Sequence, residues 1–120
     1  MVTSLKPNEV FVFGSNLDGQ HAGGAARQAF EEFGAIWGVG EGLTGQCYAF
    51  PTLTESFEKR SHEDLQESVN RLYQCAAENP NLTFILTAVG EGIAGYPSEY
   101  MKSLFRELPV NIIRADREKV

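Results

Sequence analysis

Glu9-Val-Phe-Val-Phe13, a short apolar run halted by Gly14, sets the reading of the whole chain. Its β-branched and aromatic residues mark a buried strand, and the glycine that follows marks a turn. Three similar runs recur downstream. Gln46-Cys-Tyr-Ala-Phe50 stops at Pro51, Leu82-Thr-Phe-Ile-Leu-Thr87 ends before Gly90, and Val110-Asn-Ile-Ile-Arg114 follows Pro109. Between these strands the apolar spacing changes to that of a helix. Ala25, Ala26, Ala29, Phe30 and Phe33 predict a helix ending near Gly34. Leu65, Val69, Leu72, Tyr73 and Ala76 predict an amphipathic helix closed by Asn79-Pro80, and Tyr100, Met101, Leu104 and Phe105 predict a third. The order β-α-β-α-β-α-β implies a three-layer α/β/α fold around a mostly parallel sheet, in which the first and third strands are neighbours. Pro51 to Ser61 reads as a polar loop and gives no domain boundary.

Composition narrows the possible functions. The 120 residues carry a formal charge of −6 and 42% hydrophobic residues, which suits one domain with one core. No run approaches the roughly 20 apolar residues of a membrane span, and Met1 to Pro7 has no signal-peptide pattern. The acidic balance, with no basic cluster beyond Lys59-Arg60, argues against nucleic acid and anionic membranes as partners. Cys47 and Cys75 fall in a strand and a helix that read as core. They are expected as reduced thiols in a cytoplasmic compartment.

The glycines are unevenly placed. Nine of the 12 lie between Gly14 and Gly45 and three between Gly90 and Gly95. Two glycine-rich loops therefore leave the first and third strands and open into helices: Gly14-Ser-Asn-Leu-Asp-Gly-Gln-His-Ala-Gly-Gly24 and Ala88-Val-Gly-Glu-Gly-Ile-Ala-Gly-Tyr-Pro97. In an open parallel sheet the ligand crevice lies outside the carboxyl ends of such strands. Glycine lets backbone approach a ligand, and successive amides at a helix start bind anions. A phosphate or diphosphate is the expected guest. No Lys or Arg occurs from Pro7 to Ala26 or from Leu82 to Met101, so the anion would rest on backbone amides. No P-loop motif is present.

Gly90-Glu-Gly-Ile-Ala-Gly95 also satisfies G-x-G-x-x-G, with Asp116 about 20 residues on, and keeps a Rossmann-like dinucleotide binder as an alternative. Only 25 residues follow Gly95, too few for the rest of a Rossmann half. Gly40-Glu-Gly-Leu-Thr-Gly45 repeats the pattern ahead of a strand, which is the wrong context.

Phe13-Gly-Ser-Asn16, Gly23-Gly-Ala-Ala26 and Gly92-Ile-Ala-Gly-Tyr-Pro97 together resemble the macrodomain, the ADP-ribose-binding α/β module. The likeness runs from about Val10 to Arg114 and is greatest to small bacterial and phage macro-like proteins, where Gly-Glu-Gly-Leu and Tyr-Ala-Phe-Pro-Thr also occur. It implies a strand order of 2-1-3-4 and a single macro-like domain over residues 1–120. It further implies that Asn16 bonds the distal ribose, that Gly23 and Gly24 pass beneath that sugar, and that Gly92, Ile93, Ala94, Gly95 and Tyr96 contact the diphosphate. Gly14, Ser15 and Gly90 complete the expected ligand-binding set. The ligand is then ADP-ribose or a related nucleotide, with no further cofactor.

Hydrolysis of an ADP-ribosyl linkage, or an ADP-ribose phosphatase activity, would need a positioned water and a base. Asn16, Asp18 and His21 are the candidates: Asn16 to place the water, His21 to shuttle a proton, Asp18 as base or turn cap. Glu91, inside an anion-binding loop, is expected to point away from the anion or to interact with a ribose or a loop amide. Tyr48 reads as buried, His62 as a solvated helix start, and two histidines without a Cys/His cluster give no zinc site. A protein-interaction domain with a vestigial pocket is the non-catalytic alternative.

Overall fold

The computed structural model describes residues 2–115. Its central strand is β1 (Glu9–Asn16), flanked on both sides by parallel neighbours. A strand's side chains alternate between faces, so β1 serves two cores at once. Val10 and Val12 enter a cluster with Leu65, Val69 and Leu72 of α2 (His62–Glu78) and Met101 and Leu104 of α3 (Ser98–Leu104). Phe11 and Phe13 enter another with Ala26 and Ala29 of α1 (Gly24–Glu32). Burying each of these side chains contributes roughly 1.5–3 kcal/mol in transfer free energy.

The sheet has five strands in the order β2-β3-β1-β4-β5, with β3 (Cys47–Leu53), β4 (Thr83–Leu86) and β5 (Ile112–Arg114) parallel to β1. The four strands expected from the sequence stand in the expected 2-1-3-4 order. The fifth was not foreseen. β2 (Gly42–Thr44) pairs antiparallel with Cys47–Ala49 through a tight turn at Gly45-Gln46, inside a stretch whose glycines read as loop.

Strand ends differ from the sequence reading for identifiable reasons. β1 continues past Gly14 because Gly14 and Ser15 still pair with Phe50 and Pro51, and the register then shifts so that Asn16 meets Leu53. The sequence predicts a stop for β3 at Pro51. Yet β2 pairs only as far as Ala49, so Pro51 sits where no outer strand needs its missing N–H. β5 starts at Ile112, leaving Val110 almost fully exposed.

α2 begins where its chemistry dictates. Ser61 accepts a hydrogen bond from the Asp64 amide, and Glu63 and Asp64 complement the positive end of the helix dipole. Its first residue, His62, is exposed but pairs through Nδ1 with the Tyr100 hydroxyl at 2.8 Å. Cys47 is buried and Cys75 half-buried, both as free thiols, and burial pushes both above their ordinary pKa. Among the described residues no helix is long and apolar enough to cross a membrane.

Candidate functional site

Because β1, β3 and β4 run parallel, their carboxyl ends share one edge of the sheet. Both glycine loops leave from that edge and enclose a cleft of about 290 Å³. Gly14, Ser15 and Asn16 at the end of β1 form one part of its wall, and Gly23 and Gly24 at the start of α1 another. Gly90, Gly92, Ile93 and Ala94 close it from the β4 side. Four of the expected site residues lie elsewhere: Gly95, Tyr96, Asp18 and His21 do not line this cleft.

Their positions have physical causes. In the loop after β4, the Gly95 amide donates to the Gly92 carbonyl at 3.0 Å and the Tyr96 amide to the Gly90 carbonyl at 2.8 Å. The turn itself uses both donors. Tyr96 turns its ring inward and shares its hydroxyl proton between the Thr52 and Arg60 carbonyls, each at 3.1 Å, with the Lys59 ammonium over its face. Burial holds its phenol above the ordinary pKa, partly offset by the hydrogen bond to Arg60.

His21 is 1% exposed, with Nε2 at 3.0 Å from the Ile36 carbonyl and its ring against Phe13, Phe30 and Trp37. It props up the loop from beneath. Asp18 is exposed and accepts a hydrogen bond from the Gln20 side chain.

Apart from Gln20, whose side-chain amide donates to Asp18, the polar side chains that line the cleft are engaged with backbone. Asn16 donates from Nδ2 to the Gln20 carbonyl and accepts from the Gln20 amide, both at 3.0 Å, closing the turn after β1. Ser15 donates to the Gly40 carbonyl, and Thr52 to the Ser15 carbonyl. The donors left over belong to the main chain. α1 starts at Gly23 with no side-chain cap and no acidic residue in its first turn, and Gly23 to Ala26 face the cleft. Opposite, among the described residues the amides of Gly92, Ile93 and Ala94 have no protein acceptor. The two groups form a concave set of N–H donors with the positive end of a helix dipole behind one of them. Among the described residues, no His, Asp, Glu, Lys or Arg lines this cleft.

A second cleft, of about 660 Å³, adjoins the first and shares Gly24, Ala25 and Thr87–Val89 as its border. Phe11, Leu86, Met101 and Phe105 make its walls apolar, while Glu91, Lys102 and Arg114 supply charge. Glu91 thus faces this second space and not the amide cradle. Arg114 is steadied by a 3.0 Å bond from Nη2 to the Phe105 carbonyl. Nothing in the sequence signalled this cleft, because its lining comes from six separate segments with no shared motif.

Phe57 was also missed. It is 52% exposed and lines the amide cleft, within a stretch whose composition predicts a polar loop. The one available sign was a lone aromatic in Thr54-Glu-Ser-Phe-Glu-Lys59. Asp116, the acidic residue of the dinucleotide alternative, lies outside the described residues. Among those described, no group of three His, Cys, Asp or Glu side chains is close enough to hold a metal ion. Compared with family models, curated proteins and solved structures, the chain matches none.

Proposed function

We propose that this chain is a reduced macrodomain-like module, three layers thick, that binds ADP-ribose or a related nucleoside diphosphate. The observation that carries the reading is the convergence of the uncapped α1 start and the free amides of Gly92–Ala94 on one cleft without carboxylates. A diphosphate needs several donors held in place, and preorganised amides pay no reorganisation on binding. One ribose then lies toward Asn16. The base and the other ribose extend over Thr87–Val89 into the larger cleft, whose apolar walls suit a planar ring.

Binding is favoured over hydrolysis. A general base must stand within hydrogen-bond reach of its water, and the two titratable candidates are directed elsewhere, Asp18 to Gln20 and His21 to a ring of aromatics. Asn16 is committed to its turn, so Asn16→Ala reports on loop stability before it reports on ligand.

Calorimetric titration with ADP-ribose tests the reading. The unmodified chain should bind, and Gly92→Val should abolish binding while the protein melts as before, since a side chain at Gly92 meets no protein atom and projects into open space. Heat with ADP-ribose that survives Gly92→Val would place the anion elsewhere. No heat with ADP-ribose, ADP or NAD would leave the interaction module as the better account. Turnover of an ADP-ribosylated protein would restore the hydrolase.

A further inference from the structure

We propose that Phe57 is a ligand-contact residue whose ring covers the face of the terminal sugar, at the end of the site farthest from the second cleft. The inference rests on the nucleoside-diphosphate reading and adds to it a residue that selects for the second sugar. Three observations lead to it. First, Phe57 is half exposed on a chain segment that follows β3, and its ring lines the amide cleft. Exposure alone is ordinary for a single apolar residue, but its place on the cleft lining leaves the ring free to meet a ligand there.

Second, its backbone is held in the left-handed region, at φ 62°, which a phenylalanine rarely adopts. That conformation is imposed from outside the residue. The Thr54 hydroxyl accepts from the amides of Ser56 and Glu58, the Thr54 amide donates to the Glu58 carbonyl at 2.7 Å, and the Phe57 amide donates to the Thr54 carbonyl at 3.0 Å. The return strand is tied down by the Leu53–Lys59 bridge and by Lys59 over the Tyr96 ring. A knot of this kind holds an exposed side chain in a costly position, the pattern found where geometry serves a ligand.

Third, the sheet order fixes which part of the ligand Phe57 meets. Along the carboxyl edge the sequence of ends is β3, β1, β4, β5. Phe57 follows β3, Asn16 ends β1, the free amides follow β4, and Arg114 of the second cleft ends β5. A diphosphate on the amides with its base toward β5 directs its terminal sugar toward Asn16 and Phe57. The apolar face of a ribose suits an aromatic ring, as bases do in other sites.

Titrations with ADP-ribose and with ADP, which lacks the terminal sugar, test this. Phe57→Ala should weaken ADP-ribose roughly tenfold or more, the scale of a lost aromatic contact, and leave ADP within about twofold of the unmodified protein. Phe57→Tyr, which keeps the ring, should bind ADP-ribose normally. Phe57→Gly should bind as poorly as the alanine variant yet melt higher, because glycine accepts the left-handed backbone. Phe57→Ala binding ADP-ribose at full strength, or losing ADP-ribose and ADP equally, would overturn the assignment while leaving the cleft reading intact. An unmodified chain that binds neither probe would remove the reading and the assignment together.

Discussion

Gly40-Glu-Gly-Leu-Thr-Gly45 and Gly90-Glu-Gly-Ile-Ala-Gly95 are almost the same six residues, and they do opposite things. The first is packed against the protein at its two end glycines, with open space only at Gly42. A Cβ on Gly40 would come 2.4 Å from the Asn16 carbonyl oxygen, and one on Gly45 would come 2.7 Å from that of Gly34. Its Leu43 and Thr44 pair with β3 as an edge strand, and its Glu41 forms an ion pair with Arg71 at 3.0 Å. The second stretch is packed only at Gly90, where a Cβ would press on Met101 and Tyr96, and faces outward beyond it. Side chains at Gly92 and Gly95 would meet nothing within 4 Å, its middle amides lack protein acceptors, and its Glu91 lines the larger cleft. In one, glycine lets two backbones touch. In the other it leaves a backbone free to touch something else. A glycine-rich motif therefore states that backbone will be approached closely and leaves the partner unstated.

Substitution should separate the two. Gly40→Ala drives a methyl into the backbone of β1's end, and overpacking of that kind costs about 3 kcal/mol. Thermal melting should show a fall of roughly 10 °C or more. The matched change Gly92→Ala should stay within about 0.5 kcal/mol of the unmodified protein. Equal losses in the two melts would mean that the outer loop is packed as tightly as the inner one, and the comparison would collapse.

Gly95→Ala sharpens the contrast at an intermediate scale. The position has open space but φ +73°, so the cost is conformational alone, about 1 kcal/mol. Urea denaturation should register it with an unchanged slope. Since Gly95 donates its amide inside the turn, ADP-ribose affinity should fall far less than for Gly92→Val.

The smallest effect concerns pH. Burial, and secondarily the Glu41 carboxylate, pushes the Tyr48 phenol well above its ordinary value near 10. The folded state then holds this proton more tightly than the unfolded chain. Its contribution to stability is complete below about pH 10 and is lost as pH rises toward the folded pKa. Tyr73 and Tyr96 are raised in the same direction. Following the urea midpoint from roughly pH 8 to 11 should show a decline that Tyr48→Phe makes shallower. A decline unaltered in that variant would assign the alkaline loss to the two thiols and the other tyrosines.

What the sequence determined by itself is the class of architecture and the edge of the sheet at which the two glycine loops meet. Strand and helix periods and the Asn79-Pro80 stop act over a few residues, and those local rules placed three helices and four of the five strands in order. They also put both glycine loops after neighbouring parallel strands, which suffices to bring them together. The tertiary structure alone decided the rest. Whether an amide is free depends on what the fold brings opposite it, so Gly92 to Ala94 and Gly95 to Tyr96 divided in a way no spacing shows. His21 is buried because the rings of Phe13, Phe30 and Trp37, from the strand before it and the helix and loop after it, come together around it. The second cleft likewise arises from contacts between remote segments, whereas β2 and the Phe57 turn are local features that show no apolar period of their own. A local pattern carries conformational preference, whereas donor availability, burial and cavity shape are properties of the assembled chain.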